Sequence, residues 1–144
     1  MNDPFSGSRS VLSPDGNHVA TLRYAQEIRF GPACYNLSLD SFDFGGRVFG
    51  DSCLWSPDSS LIALQEWLTT DERRGPLTRL VLVDLRTGRE APLSEVTKGY
   101  VVPLRFEEGK LVYERRYYTF GPPLALEYER DLPCPCCWQG IAVA

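Results

Sequence analysis

Apolar residues in this chain come in short runs divided by turn-forming residues. The clearest run is Arg79-Leu80-Val81-Leu82-Val83-Asp84-Leu85, closed by the tight turn Arg86-Thr87-Gly88-Arg89. Aliphatic and β-branched stretches of this kind, ended by a Gly-containing turn, read as strand–turn–strand. The same reading places strands at Arg9–Leu12, His18–Tyr24, Cys34–Ser41, Arg47–Gly50, Cys53–Ser56, Leu61–Trp67, Thr78–Leu85, Glu90–Leu93, Tyr100–Phe106, Lys110–Tyr117 and Leu124–Arg130. No stretch holds a 3.6-residue apolar period, so little helix is expected. Pro122, Pro123, Pro133 and Pro135 cannot sit inside paired central strands.

The runs are organised by a repeated phrase. Val11-Leu12-Ser13-Pro14-Asp15-Gly16, followed by His18-Val19-Ala20, returns 43 residues later as Leu54-Trp55-Ser56-Pro57-Asp58-Ser59, followed by Leu61-Ile62-Ala63. A weaker third copy runs from Phe106-Glu107-Glu108-Gly109-Lys110 into Leu111-Val112-Tyr113. Pro14 fixes its own φ, while Asp15 and Gly16 supply turn chemistry. Self-similarity at about 40–50 residues is the mark of blade-type repeats, each a small antiparallel sheet. Three repeats are predicted within one domain over residues 1–144, at approximately 9–50, 53–93 and 100–130, with a Cys/Pro-rich tail at 131–144. Each repeat is expected to hold four strands, although a fourth is not evident in the third.

The residues Trp55-Ser56-Pro57-Asp58, Leu61-Ile62-Ala63 and Leu82-Val83-Asp84-Leu85-Arg86-Thr87-Gly88 resemble the WD-like β-propeller repeats of the TolB type, also found in prolyl-oligopeptidase-like peptidases. The resemblance spans most of residues 9–117 and implies blade geometry without implying an activity. Closed propellers generally need about four to eight blades, and 144 residues hold three. The expected architecture is therefore all-β: three blade-like four-stranded antiparallel sheets in an open partial propeller or sandwich-like arc.

Charge changes the picture. The net charge is −4, but residues 1–72 carry four arginines against ten acids, and residues 73–144 carry eleven bases against nine acids. Within residues 35–72, Asp40, Asp43, Asp51, Asp58, Glu66, Asp71 and Glu72 face only Arg47. Such a field disfavours nucleic acid and suits a basic protein partner, or simply a solvated acidic surface. The first ten residues have neither a basic start nor an apolar stretch, and no apolar run reaches the ~20 residues of a membrane span. A cytoplasmic protein with reduced thiols is the expectation for the five cysteines.

Alignment of the repeats puts Tyr24, Trp67 and Tyr117 at one equivalent position, beside Arg23, Glu66 and Arg116. Aromatics with charged neighbours serve either as interface anchors or as packing between blades. The candidate partner-binding residues are Asp40, Asp43, Asp51, Glu66, Trp67, Asp71 and Glu72. Tyr113-Glu114-Arg115-Arg116-Tyr117-Tyr118 mixes basic and aromatic side chains, but a strand distributes them over two faces, which fits structure better than single-stranded nucleic acid. Cys134, Cys136 and Cys137 cluster without the second ligand pair that zinc requires, so no metal or other cofactor is expected.

Catalysis finds little support. His18, the one histidine, aligns with Leu61 and Leu111 and so falls in an apolar strand slot. No Gly-flanked serine motif of the acyl-transfer kind and no phosphate-cradling loop is present. A small acidic chain without catalytic groups looks like a bacterial immunity protein or antitoxin, which would neutralise a basic, possibly nuclease, toxin by electrostatically steered binding. The alternative is a truncated or self-assembling TolB-like scaffold, or a peptidase accessory domain.

Overall fold

The computed structural model describes residues 8–27, 33–69, 75–117, 124–132 and 138–143, and among them every regular element is a strand. The order is β1 (Arg9–Leu12), β2 (Val19–Glu27), β3 (Ala33–Leu39), β4 (Phe42–Asp43), β5 (Val48–Trp55), β6 (Leu61–Thr69), β7 (Leu77–Asp84), β8 (Arg89–Thr97), β9 (Gly99–Glu107), β10 (Lys110–Tyr117), β11 (Leu124–Asp131) and β12 (Gln139–Gly140). No helix among the described residues is long and apolar enough to cross a membrane.

All pairings are antiparallel, in two open sheets. The larger has nine strands in the order β1-β2-β3-β5-β6-β7-β8-β12, with β4 on β3, and the smaller has the order β11-β10-β9. The strands expected at Arg47–Gly50 and Cys53–Ser56 are one strand, β5. Its register shifts between Phe49 and Cys53, where Gly50 meets Gln65. A Cβ on Gly50 would stand 1.8 Å from Gln65 Oε1, which explains a glycine inside a strand.

The large sheet is folded rather than flat. β3 and β5 share the single pair Tyr35↔Phe49. Although β2 and β3 separate β1 from β5 in the order, Trp55 Nε1 donates to the Val11 carbonyl at 3.1 Å and Arg9 donates to the Asp51 carbonyl at 3.1 Å. β1 therefore lies alongside β5.

Two cores result, on opposite faces of β6 and β7. Ile62, Leu64, Val81 and Val83 join Ala20, Leu22, Leu37, Phe44 and Phe49 in the first, while Ala63, Leu80 and Leu82 join Ala91, Val96, Val101, Leu111 and Tyr113 in the second. Side chains alternate across a strand, so a strand buried on both faces needs an unbroken apolar run. That is why Leu61-Ile62-Ala63-Leu64 and Leu80-Val81-Leu82-Val83 lack the alternation of β2 and β3.

β8 runs on to Thr97, past the expected end at Leu93. Pro92 is tolerated because the register shifts there and β12 covers only Arg89 and Glu90 on the outer edge. β9 accommodates Pro103 in the same way, at a second shift on an edge strand. Among the described residues the smaller sheet has three strands, where a four-stranded sheet was expected. Instead of extending that sheet, Gln139–Gly140 joins the large sheet as β12, with Trp138 in the second core and Ile141 in the first.

Candidate functional site

Electrostatics centre on Arg47, which precedes β5. Its Nε and Nη2 donate to Glu66 at 2.8 and 2.9 Å, its Nη1 and Nη2 donate to Glu90 at 2.9 and 2.8 Å, and Nη1 also reaches the Ala142 carbonyl at 2.8 Å. A guanidinium has five N–H donors, and here each has an acceptor. Arg79 adds a second cation to Glu66 at 2.7 Å, and the Ala142 N–H donates to Glu90 at 2.7 Å. The guanidinium lies 5.3 and 5.4 Å from the ring centroids of Phe44 and Phe49. Burial opposes the charge on Arg47, but hydrogen bonds and charge from Glu66 and Glu90 outweigh it and hold the group protonated. Burial likewise works against ionised Glu66, and Arg47 with Arg79 prevails, so its carboxyl sits below the ordinary value. Two cations balance two anions, and no buried side-chain polar atom among the described residues lacks a partner. Such a cluster fixes structure.

The repeated turns are built alike. Ser13 Oγ donates to Asp15 at 2.7 Å and accepts the His18 N–H at 3.0 Å; Ser56 Oγ donates to Asp58 at 2.7 Å and accepts the Leu61 N–H at 3.0 Å. Asp58 is held at about 2 by the Ser60 and Ser56 hydroxyls and the Ser60 N–H.

Of the seven residues singled out for partner binding, five lie among the described residues, three of them exposed and two buried. Asp40 and Asp43 are exposed on the β3–β4 hairpin, and Asp51 is exposed on β5. Asp40 Oδ2 lies 2.8 Å from His18 Nδ1 while its Oδ1 accepts the Val19 N–H. Burial raises its carboxyl, but His18 and Val19 bring it below the usual range. Asp43 pairs with Arg23 at 3.3 Å. Glu66 is only 4% exposed, inside the Arg47 cluster, and Trp67 is only 5% exposed, against Tyr100 and with Nε1 donating to Gln65 at 3.3 Å. Neither presents its side chain to solvent. Asp71 and Glu72 lie outside the described residues, as do Cys134, Cys136, Cys137 and Tyr118. Of the aligned aromatics, Tyr24 is exposed, Trp67 is buried and Tyr117 packs on the second core. His18 is half-buried and stacks on Trp55, just before β2. Cys34 and Cys53 are free thiols.

Two clefts escaped the sequence reading because they join turns distant in sequence. One, of about 460 Å³, lies between the Ser56-Pro57-Asp58 turn and the β9–β10 turn, with Leu61, Phe106, Leu132 and Trp138 in its lining. The other, of about 420 Å³, lies between the β3–β4 and β7–β8 turns and is lined by Leu39, Phe42, Phe44, Leu85 and Ile141. Asp84 belongs to both. Around them stand Asp40, Asp58, Asp84, Glu107 and Glu108, against Arg86 and Lys110. Among the described residues no three His, Cys, Asp or Glu side chains are grouped to hold a metal ion.

Compared with family models, curated proteins and solved structures, the chain matches none.

Proposed function

We propose that the chain is a non-catalytic protein-binding module of three blade-like units, β1–β4, β5–β8 and β9–β11, set in an open arc. In this reading it neutralises a basic partner in the cytoplasm, as an immunity protein neutralises its toxin. The observation that carries the reading is the pair of clefts about Asp84. Apolar floors suit inserted anchor side chains, and a rim of five carboxylates against two bases suits a cationic partner. Of the residues singled out from the sequence, Asp40 stands on this rim.

The scaffold alternative asks for apolar outer faces on which further blades would stack. The face of β9–β11 turned from the second core instead carries Arg105, Lys110, Glu114, Arg116, Glu127 and Glu129, largely in ion pairs. On β2 and β3 the corresponding face holds Thr21, Arg23, Asn36 and Ser38. Polar outer faces are how repeat arrays end, and this favours a self-contained arc.

The test is coexpression with the product of the adjacent reading frame. The expected result is a stoichiometric complex whose association slows as salt rises, and slows further for Asp40→Lys combined with Glu108→Lys. Failure to form a complex, or a rate indifferent to both salt and charge reversal, overturns the reading.

A further inference from the structure

Sheet edges are templates for pairing, and proteins guard them by shortness, proline, bulges and charge. β1 is four residues long, and β8 and β9 each carry a proline at a register shift. β11 is eight residues long with neither device, and among the described residues only β10 pairs with it. Its charges, Glu127, Glu129, Arg130 and Asp131, all follow Leu126. The three residues before them, Leu124-Ala125-Leu126, are apolar and exposed, Leu124 by 48% and Leu126 by 41%. Both leucines share a face with Tyr128, which packs on the second core.

We propose that β11 pairs antiparallel with β11 of a second copy of this chain, about a two-fold axis through Leu126. Such an axis sets one residue opposite its own copy. Centring on Glu127 opposes it to its copy, and centring on Tyr128 opposes Glu127 to Glu129, both like-charge pairs that destabilise a sheet. Centring on Ala125 leaves only Leu124–Leu126 to pair, because Pro123 offers no N–H. Centring on Leu126 sets Leu126 against Leu126, Leu124 against Tyr128 and Ala125 against Glu127. No like charges stand directly opposite, and the apolar face continues across the junction. The window ends at Leu124 because Pro122 and Pro123 precede it. Five residues per copy fall well short of the ~800 Å² per partner of a standard interface, so the dimer is weak and the two smaller sheets join into one of six strands. This inference rests on the sheet edge and is independent of the basic partner proposed above.

The test is sedimentation velocity on the full chain from about 10 μM to about 1 mM, the range in which small interfaces associate. A monomer–dimer equilibrium is expected. Leu126→Lys and, separately, Leu124→Lys should raise its dissociation constant at least tenfold with an unchanged thermal unfolding midpoint, since both side chains are exposed. Phe42→Lys, at another exposed apolar position, should leave the dimer intact. A wild-type monomer throughout the range, a dimer that survives Leu126→Lys, one lost in Phe42→Lys, or a larger assembly such as a completed ring would each overturn the proposal.

Discussion

The Asp15 N–H donates to Ser59 Oγ at 3.0 Å, so the second repeated turn holds the first by the residue that stands in place of Gly16. Gly16 has φ 74° and Ser59 has φ 65°. A serine in the left-handed region is strained, by about 1–2 kcal/mol, and its buried hydroxyl compensates by joining two repeats. The two copies of the phrase are thus alike in their internal bonds and different where they touch.

Ser59→Ala should cost about 1–3 kcal/mol, because it keeps the strained backbone and strands the Asp15 N–H. Ser59→Gly loses the same bond but relieves the strain, so it should stay within about 1 kcal/mol of the parent. Urea denaturation of both variants checks the order; equal losses would contradict the account.

Arg47→Met leaves Glu66 and Glu90 buried beside each other without their shared cation. A loss of about 3–5 kcal/mol is expected, as for breaking buried pairs generally. Arg47→Lys keeps the charge but supplies three donors where five are used, so it should fall between Met and the parent. Chemical denaturation midpoints at constant m-value decide the ranking.

Trp67→Ala should cost about 3–5 kcal/mol, as large-to-small core changes do. Near-parental stability of this variant would place Trp67 outside the core and restore it as a candidate anchor.

Acid should weaken the fold through its hydrogen-bonded carboxylates. Asp58 is held at about 2, and Asp15, Asp40 and Glu66 are also lowered. Unfolded carboxylates titrate near pH 4, so the unfolded chain binds protons first. The stabilisation is fully present above about pH 5 and is lost as the pH falls through 4 towards 2. Asp58→Asn should flatten the dependence of the unfolding midpoint on pH between these limits.

Burial pushes the Cys34 thiol up to about 11, and Cys53 is raised by the same cause. With Cys134, Cys136 and Cys137 replaced by serine, disulfide reagents at pH 8 should react with Cys34 only as fast as the protein opens, since the thiolate is the nucleophile. Immediate titration of both thiols in the native protein would contradict this.

Much of the architecture was legible in the residues. The apolar runs locate β6 and β7, and the Ser-Pro-Asp phrase locates two turns of identical bonding. The Arg47 cluster was hidden because charge counts carry no face. A signal existed nonetheless: Glu66 lies two and four residues from Leu64 and Ile62, so strand alternation turns it towards the first core. The clefts left no trace, since one depends on how the smaller sheet packs on the larger and the other on how the β3–β4 hairpin meets the β7–β8 turn. β12 was obscured by its length, two residues whose register is set by β8 rather than by their own propensity.

The bond from Arg47 to Ala142 spans 95 residues. Loop closure over such a distance has an entropic cost that local strand pairs avoid. On the ribosome, β1 to β7 can be paired while Arg47 still lacks Glu90 and the Ala142 carbonyl. Until residues 139–143 arrive, the edge of β8 is bare and one guanidinium N–H has no protein acceptor. The C-terminal segment therefore acts as a latch, and the Arg47 cluster is complete only once residues 139–143 have been added.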